Sequence, residues 1–180
     1  MDTQGNLKKV PIFFYYMSIE TERSSTPYEA TNTANLFCAI FSSLNDKPLV
    51  GRRYELMGKK KVMWLDDYNR RDEGKNICID IVFKSAKYDQ SRDVIDTVSM
   101  EQKGRIKKEN DGDEEKTHMS LRLGEGQQLY VAVLESNYYG VGVNDIKSYI
   151  NQFTEKYYID NEMDGIFRVC FDTYLSNEFL

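Results

Sequence analysis

The chain predicts an α+β fold: an antiparallel or mixed β-sheet covered by two main helices, at about 27–43 and 144–156. Three observations predict it. Segments that alternate apolar and polar residues outnumber segments of helical period. Glycine-centred turns join several of them as hairpins. Thirteen Tyr and nine Phe against one Trp suit a strand-rich core.

The elements follow in order. Val10 to Ser18 reads as a buried strand. Thr26 caps a helix with Pro27 at its first position and Glu29 completing a capping box. Ala30, Ala34, Phe37, Phe41 and Leu44 then recur at helical spacing, with Ile40 beside them, until Asn45 to Pro48 ends the run. Arg52 to Met57 and Lys61 to Leu65 flank Gly58 as a hairpin. Asn69 to Gly74 reads as a charged loop. Asn76 to Lys84 alternates, with Ile77, Ile79, Ile81 and Phe83 on one face. Val94 to Met100 is a further strand, and Gly104 to Lys116 a long charged loop. His118 to Leu123 and Gln128 to Ser136 form the clearest hairpin, turning at Gly124 to Gln127. Asn144 caps the second helix, whose apolar face carries Ile146, Tyr149, Ile150 and Phe153. Gly165 to Leu175 is the last strand.

One hundred and eighty residues fit a single domain, 1–180, able to bury a core without disulfide or metal. Cys38, Cys78 and Cys170 are far apart and odd in number, which points to reduced thiols. The early apolar run, Val10 to Met17, is too short to span a bilayer. Lys8 and Lys9 precede it, but no small-residue cleavage site follows. The expected setting is cytoplasmic, with no membrane partner. The chain closes on Phe179-Leu180 straight after a strand, the end expected of the N-terminal part of a longer protein.

No intact catalytic motif appears, so the expected role is non-enzymatic, with no cofactor or metal. His118, the one histidine, lies close to Glu114 and Glu115, which can orient it. A carboxylate followed by Glu-x-Lys is the pattern of a metal-dependent nuclease, and Asp80, Glu101 and Lys103 match it loosely as the alternative reading. Asp111-Gly112-Asp113-Glu114-Glu115 has the wrong order for a calcium loop. Gly140-Val141-Gly142 precedes a helix, where phosphate binds, but Asp145 would repel it. Tyr138-Tyr139 forms a candidate exposed aromatic patch and a possible homodimer contact.

Charge is segregated. Arg52, Arg53, Lys59, Lys60, Lys61, Arg70 and Arg71 face only Glu55, Asp66 and Asp67 within 52–71. That window is +4 in a chain of net −5, so the remainder is −9. Tyr54, Trp64 and Tyr68 interleave with the basic residues. Such a basic-aromatic hairpin suits nucleic acid or an acidic protein partner. The bland alternative is a solvated hairpin with Trp64 in the core.

Gly104-Arg105-Ile106, Asp111 to His118, Leu134-Glu135-Ser136-Asn137 and Ile146 to Asn151 together resemble uncharacterised prokaryotic proteins associated with mobile elements and anti-phage defence. The likeness covers about residues 100–153. It implies defence-linked biology and a longer parent protein, and supplies no catalytic residues. The expected function is an interaction module in anti-phage defence or counter-defence.

Overall fold

The computed structural model describes residues 10–22, 33–56, 58, 60–88, 93–105, 111–124, 127 and 129–174. Its strands are β1 (Ile12–Glu22), β2 (Tyr54–Leu56), β3 (Lys61–Glu73), β4 (Asn76–Lys87), β5 (Asp93–Ile95), β6 (Gln102–Arg105), β7 (Asp113–Gly124), β8 (Leu129–Glu135) and β9 (Ile166–Thr173). Its helices are α1 (Thr33–Asn45) and α2 (Val143–Asp160), and a 3-10 turn, Leu49–Arg52, follows α1. Seven strands form one sheet in the order β2-β3-β4-β7-β8-β1-β9, and β5 and β6 form a separate hairpin. Every pairing is antiparallel.

Alternation in each strand places one set of side chains inward. Ile79, Ile81 and Phe83 on β4, Met119, Leu121 and Leu123 on β7, Tyr130, Ala132 and Leu134 on β8, and Met17 on β1 share one core. Phe37, Ile40, Phe41 and Leu44 of α1 and Ile146, Tyr149, Ile150 and Phe153 of α2 join it. Both helices therefore cover the same face. Each such aliphatic or aromatic side chain contributes about 1.5–3 kcal/mol on burial.

Tyr149 sits where α2, β2 and β3 meet. Its ring packs against Phe153 at 4.6 Å, edge-on to Phe83 at 5.5 Å and edge-on to Tyr54 at 6.0 Å. Its hydroxyl accepts the Leu65 N–H at 3.0 Å and donates to the Arg52 carbonyl at 2.9 Å. Burial pushes the phenol above its ordinary pKa, so the donating proton is retained.

Exposed sheet edges invite pairing with other chains. Here the protein occupies its own. β2 covers β3 only over Lys61 to Met63. Beyond it, Tyr149 takes the Leu65 N–H, Arg52 reaches the Leu65 and Asp66 carbonyls at 3.4 Å, and Asp67 takes the Tyr68 N–H at 2.9 Å. A bulge between Leu65 and Asp67 breaks the register. At the other edge, Asn151 of α2 imitates a strand. Its amide donates to the Val169 carbonyl at 3.2 Å and its oxygen accepts the Val169 N–H at 2.7 Å.

Several boundaries differ from expectation. Residues 69–73 continue β3, because charged side chains sit comfortably on an exposed strand end when cross-strand partners meet them. β7 likewise begins at Asp113, inside the expected loop. The expected strand at 94–100 is only the short β5 followed by a turn, with Met100 at φ +59. α2 starts one residue before Asn144: Gly142 is its N-cap, and Asp145 accepts the Gly142 N–H at 3.4 Å. The predicted cap at Thr26 and helix start at Pro27 lie outside the described residues. Cys38, Cys78 and Cys170 are free thiols. No described helix is long and apolar enough to cross a membrane.

Candidate functional site

Among the described residues the basic window is strung from the 3-10 turn after α1 to the far end of β3. A strand rises about 3.3 Å per residue, so Lys61 and Arg71 on β3 stand roughly 33 Å apart. The described arginines also have local work. Arg52 turns back on the end of α1, donating to the Asn45 carbonyl at 2.5 Å, the Lys47 carbonyl at 2.8 Å and Asn45 Oδ1 at 3.0 Å. Arg53 pairs with Glu55 at 3.3 Å. Arg70 pairs with Asp72 at 2.9 Å. Arg71 clasps Asp80 at 2.7 and 3.2 Å and Glu73 at 2.8 Å. The aromatics divide between the faces. Tyr54 meets Tyr149, and Tyr68 meets Phe41 at 6.1 Å, both on the core side. Trp64 is half-buried on the other face, and its buried Nε1 has no hydrogen-bond partner among the described residues. Lys59 lies outside the described residues.

Lys60 and Lys61 close the β2–β3 turn. Lys60 adopts φ +47, and Lys61 Nζ donates to the Tyr139 carbonyl at 2.7 Å and to that of Gly140. The turn it holds is fixed again from below. Thr117 Oγ1 accepts the Val141 N–H at 3.1 Å, and Asn137 Oδ1 accepts the Tyr139 N–H at 3.2 Å. Gly140 packs so closely on Thr117 that a Cβ there would collide with it. On this turn Tyr138 is 92% exposed and Tyr139 64%, their rings edge-to-face at 4.9 Å. No sequence signal links Lys61 to residues so distant in the chain.

The face of the sheet away from the helices carries a groove of about 420 Å³. Register builds it from two transverse rows. Asp67, Val82 and His118 stand opposite one another on β3, β4 and β7, and Glu135 and Ile12 are opposite on β8 and β1. Beside them run Asn69, Asp80, Ser120, Val133 and Phe14. Val82, Val133 and Ile12 make the surface largely apolar, and the carboxylates punctuate it. The Arg71 guanidinium holds the Asp80 carboxyl below its ordinary pKa, with help from the Ser120 hydroxyl at 2.7 Å. His118 meets Glu135 through Nδ1 and its backbone N–H. Its partner is thus Glu135, across the β7–β8 pair. Glu114 instead pairs with Lys84 at 3.1 Å, and Glu115 accepts from Asn137 at 3.1 Å.

The residues of the alternative nuclease reading lie in separate sheets. Asp80 is in the middle of β4, whereas Glu101 and Lys103 belong to the β5–β6 hairpin. Lys103 pairs with Asp96 at 2.7 Å. Among the described residues no group of three or more His, Cys, Asp or Glu could hold a metal ion.

Asp96 yields a pH prediction. The Lys103 ammonium and the N–H groups of Ser99 and Val98 hold its carboxyl at about 2. A depressed folded pKa adds stability that is complete above the unfolded value, about 3.9. That stability is lost as pH falls from there toward 2. Carboxyl-carbon NMR should place the Asp96 midpoint near 2 in the native chain and higher in Lys103→Met. A midpoint at the ordinary value in both would contradict the contact.

No protein-family model, curated protein or solved structure matches this chain. Fold and groove together define an α+β domain in which both described helices cover one sheet face and the other carries a largely apolar groove.

Proposed function

We propose that this chain is a non-enzymatic interaction module of a prokaryotic anti-phage defence or counter-defence system, and that it grips a protein partner where the β2–β3 turn meets the 137–142 turn. The observation that carries the reading is the pair of exposed rings, Tyr138 and Tyr139, on a turn fastened by Lys61. Tyrosines that are already held in place lose little freedom on binding and are frequent hot spots. Lys60 directly precedes Lys61 in the chain, and Lys59 precedes Lys60, so the segment that leads into the fastening lysine is positively charged. Arg52, Arg70 and Arg71 are engaged within the chain, which favours a protein over nucleic acid. The defence setting rests on the resemblance over residues 100–153.

The test is capture from the native host with the wild type, Tyr138→Ala/Tyr139→Ala and Lys59→Glu/Lys60→Glu. The tyrosine pair should weaken the partner's binding about 30-fold, a hot-spot loss of about 2 kcal/mol. Melting should be unchanged, since exposed substitutions move stability by about 0.5 kcal/mol. Lys61 is left intact because it holds the turn. Equal capture by both double mutants would reject the surface. Loss of capture on nuclease treatment of the lysate, with a steep salt dependence, would reassign the partner to nucleic acid.

A further inference from the structure

We propose that the groove on the helix-free face of the sheet binds a small aliphatic amine, its alkyl chain on Val82, Val133 and Ile12 and its ammonium between Asp67 and Asp80. The proposal stands on different residues from the tyrosine surface and does not depend on it.

The size suits a small molecule, since ligand pockets measure about 300–1,000 Å³. The lining has the usual division of labour: apolar side chains supply contact area, and a few convergent polar groups fix orientation. Charge selects the ligand class. Asp67, Asp80 and Glu135 line the groove. Arg71 reaches Asp80 from the neighbouring row, and His118 meets Glu135. Asp67 has no basic partner among the described residues; its Oδ1 takes the Tyr68 N–H. Asp80 Oδ2 accepts from Arg71, and Oδ1 from Arg71 and Ser120. A carboxylate offers about four lone-pair sites, so one remains.

Consider three ligands of equal length. An acid would bring a fourth carboxylate to three already present. A neutral alcohol would cover Asp67 without returning a charged partner, and desolvating an ion that way is costly. An amine satisfies Asp67 and the remaining site on Asp80, while its chain covers the valines. Asp67 stands diagonal to Asp80 across β3 and β4, at about 7–8 Å, a span that long side chains bridge.

The experiment is an amide NMR titration of the full chain with n-hexylammonium, hexanoate and hexanol. Hexylammonium should give saturable shifts at Asp67, Val82, Ser120 and Val133, and the other two should bind at least tenfold more weakly. Asp67→Asn, an exposed change, should weaken hexylammonium at least tenfold with unchanged melting. Tyr138→Ala/Tyr139→Ala should bind it as the wild type does, which separates this site from the tyrosine surface. Absence of saturable shifts overturns the proposal. So does hexanoate or hexanol binding as tightly as the amine, or Asp67→Asn binding as the wild type.

Discussion

Tyr149→Ala should lower the stability of the chain by about 3–5 kcal/mol, the range for removing a large buried aromatic. Three ring contacts vanish, and the space between α2, β2 and β3 opens. Two backbone groups, the Leu65 N–H and the Arg52 carbonyl, lose their partner. Tyr149→Phe separates these contributions. It keeps the ring and should cost about 1–3 kcal/mol for the unsatisfied groups alone. For a domain of this size each kcal/mol moves Tm by about 2–4 °C. Urea unfolding with an unchanged m-value would confirm that both variants weaken the same native state. A Tyr149→Phe variant as stable as the wild type would show that the hydroxyl contributes nothing.

Arg52→Ala is the second large effect, expected at about 1.5–3 kcal/mol, the scale of hydrogen bonds to charged groups. The guanidinium satisfies carbonyls at the end of α1, where helices leave acceptors unpaired, and reaches the open edge of β3. Arg52→Lys should not restore the loss, because a single ammonium cannot replace the planar fork. Partner capture by Arg52→Ala, measured well below its lowered Tm, should equal that of the wild type. A capture defect without a stability defect would place Arg52 in the binding surface instead.

Much of the fold was legible because burial on one face imposes a period. Ile77, Ile79, Ile81 and Phe83 alternate because α1 and α2 lie over one side of β4 only. Ile146, Tyr149, Ile150 and Phe153 recur at helical spacing for the same reason. Where both faces of a strand meet water the signal fades, and so residues 69–73 and 113–116 looked like loops. Their charges are cross-strand and near-neighbour partners: Arg71 for Asp80, Arg70 for Asp72, Lys84 for Glu114.

The candidate site was less legible. His118 was visible as the one histidine, but Glu135 reached it through the β7–β8 register. Tyr138 and Tyr139 were visible as aromatics beside glycine, but Lys61 reached their turn from a strand far away in the chain. The basic residues of 52–71 were close in sequence, and extension along β3 drew them apart.

By itself the sequence determined the composition of the layers: which segments alternate, which face of each helix is apolar, and that the class is α+β. These are local properties, written in residue spacing. Only the tertiary structure decided the strand order, with β1 set between β8 and β9, and hence which outward side chains share the groove. Pairing partners in a sheet are chosen by the packing of the whole core, and transverse neighbours come from different strands. A linear pattern therefore specifies the face on which Asp80, Ser120 and Val133 lie, but not that they meet, and the bulge after Leu65 sets Asp67 beside them against simple alternation.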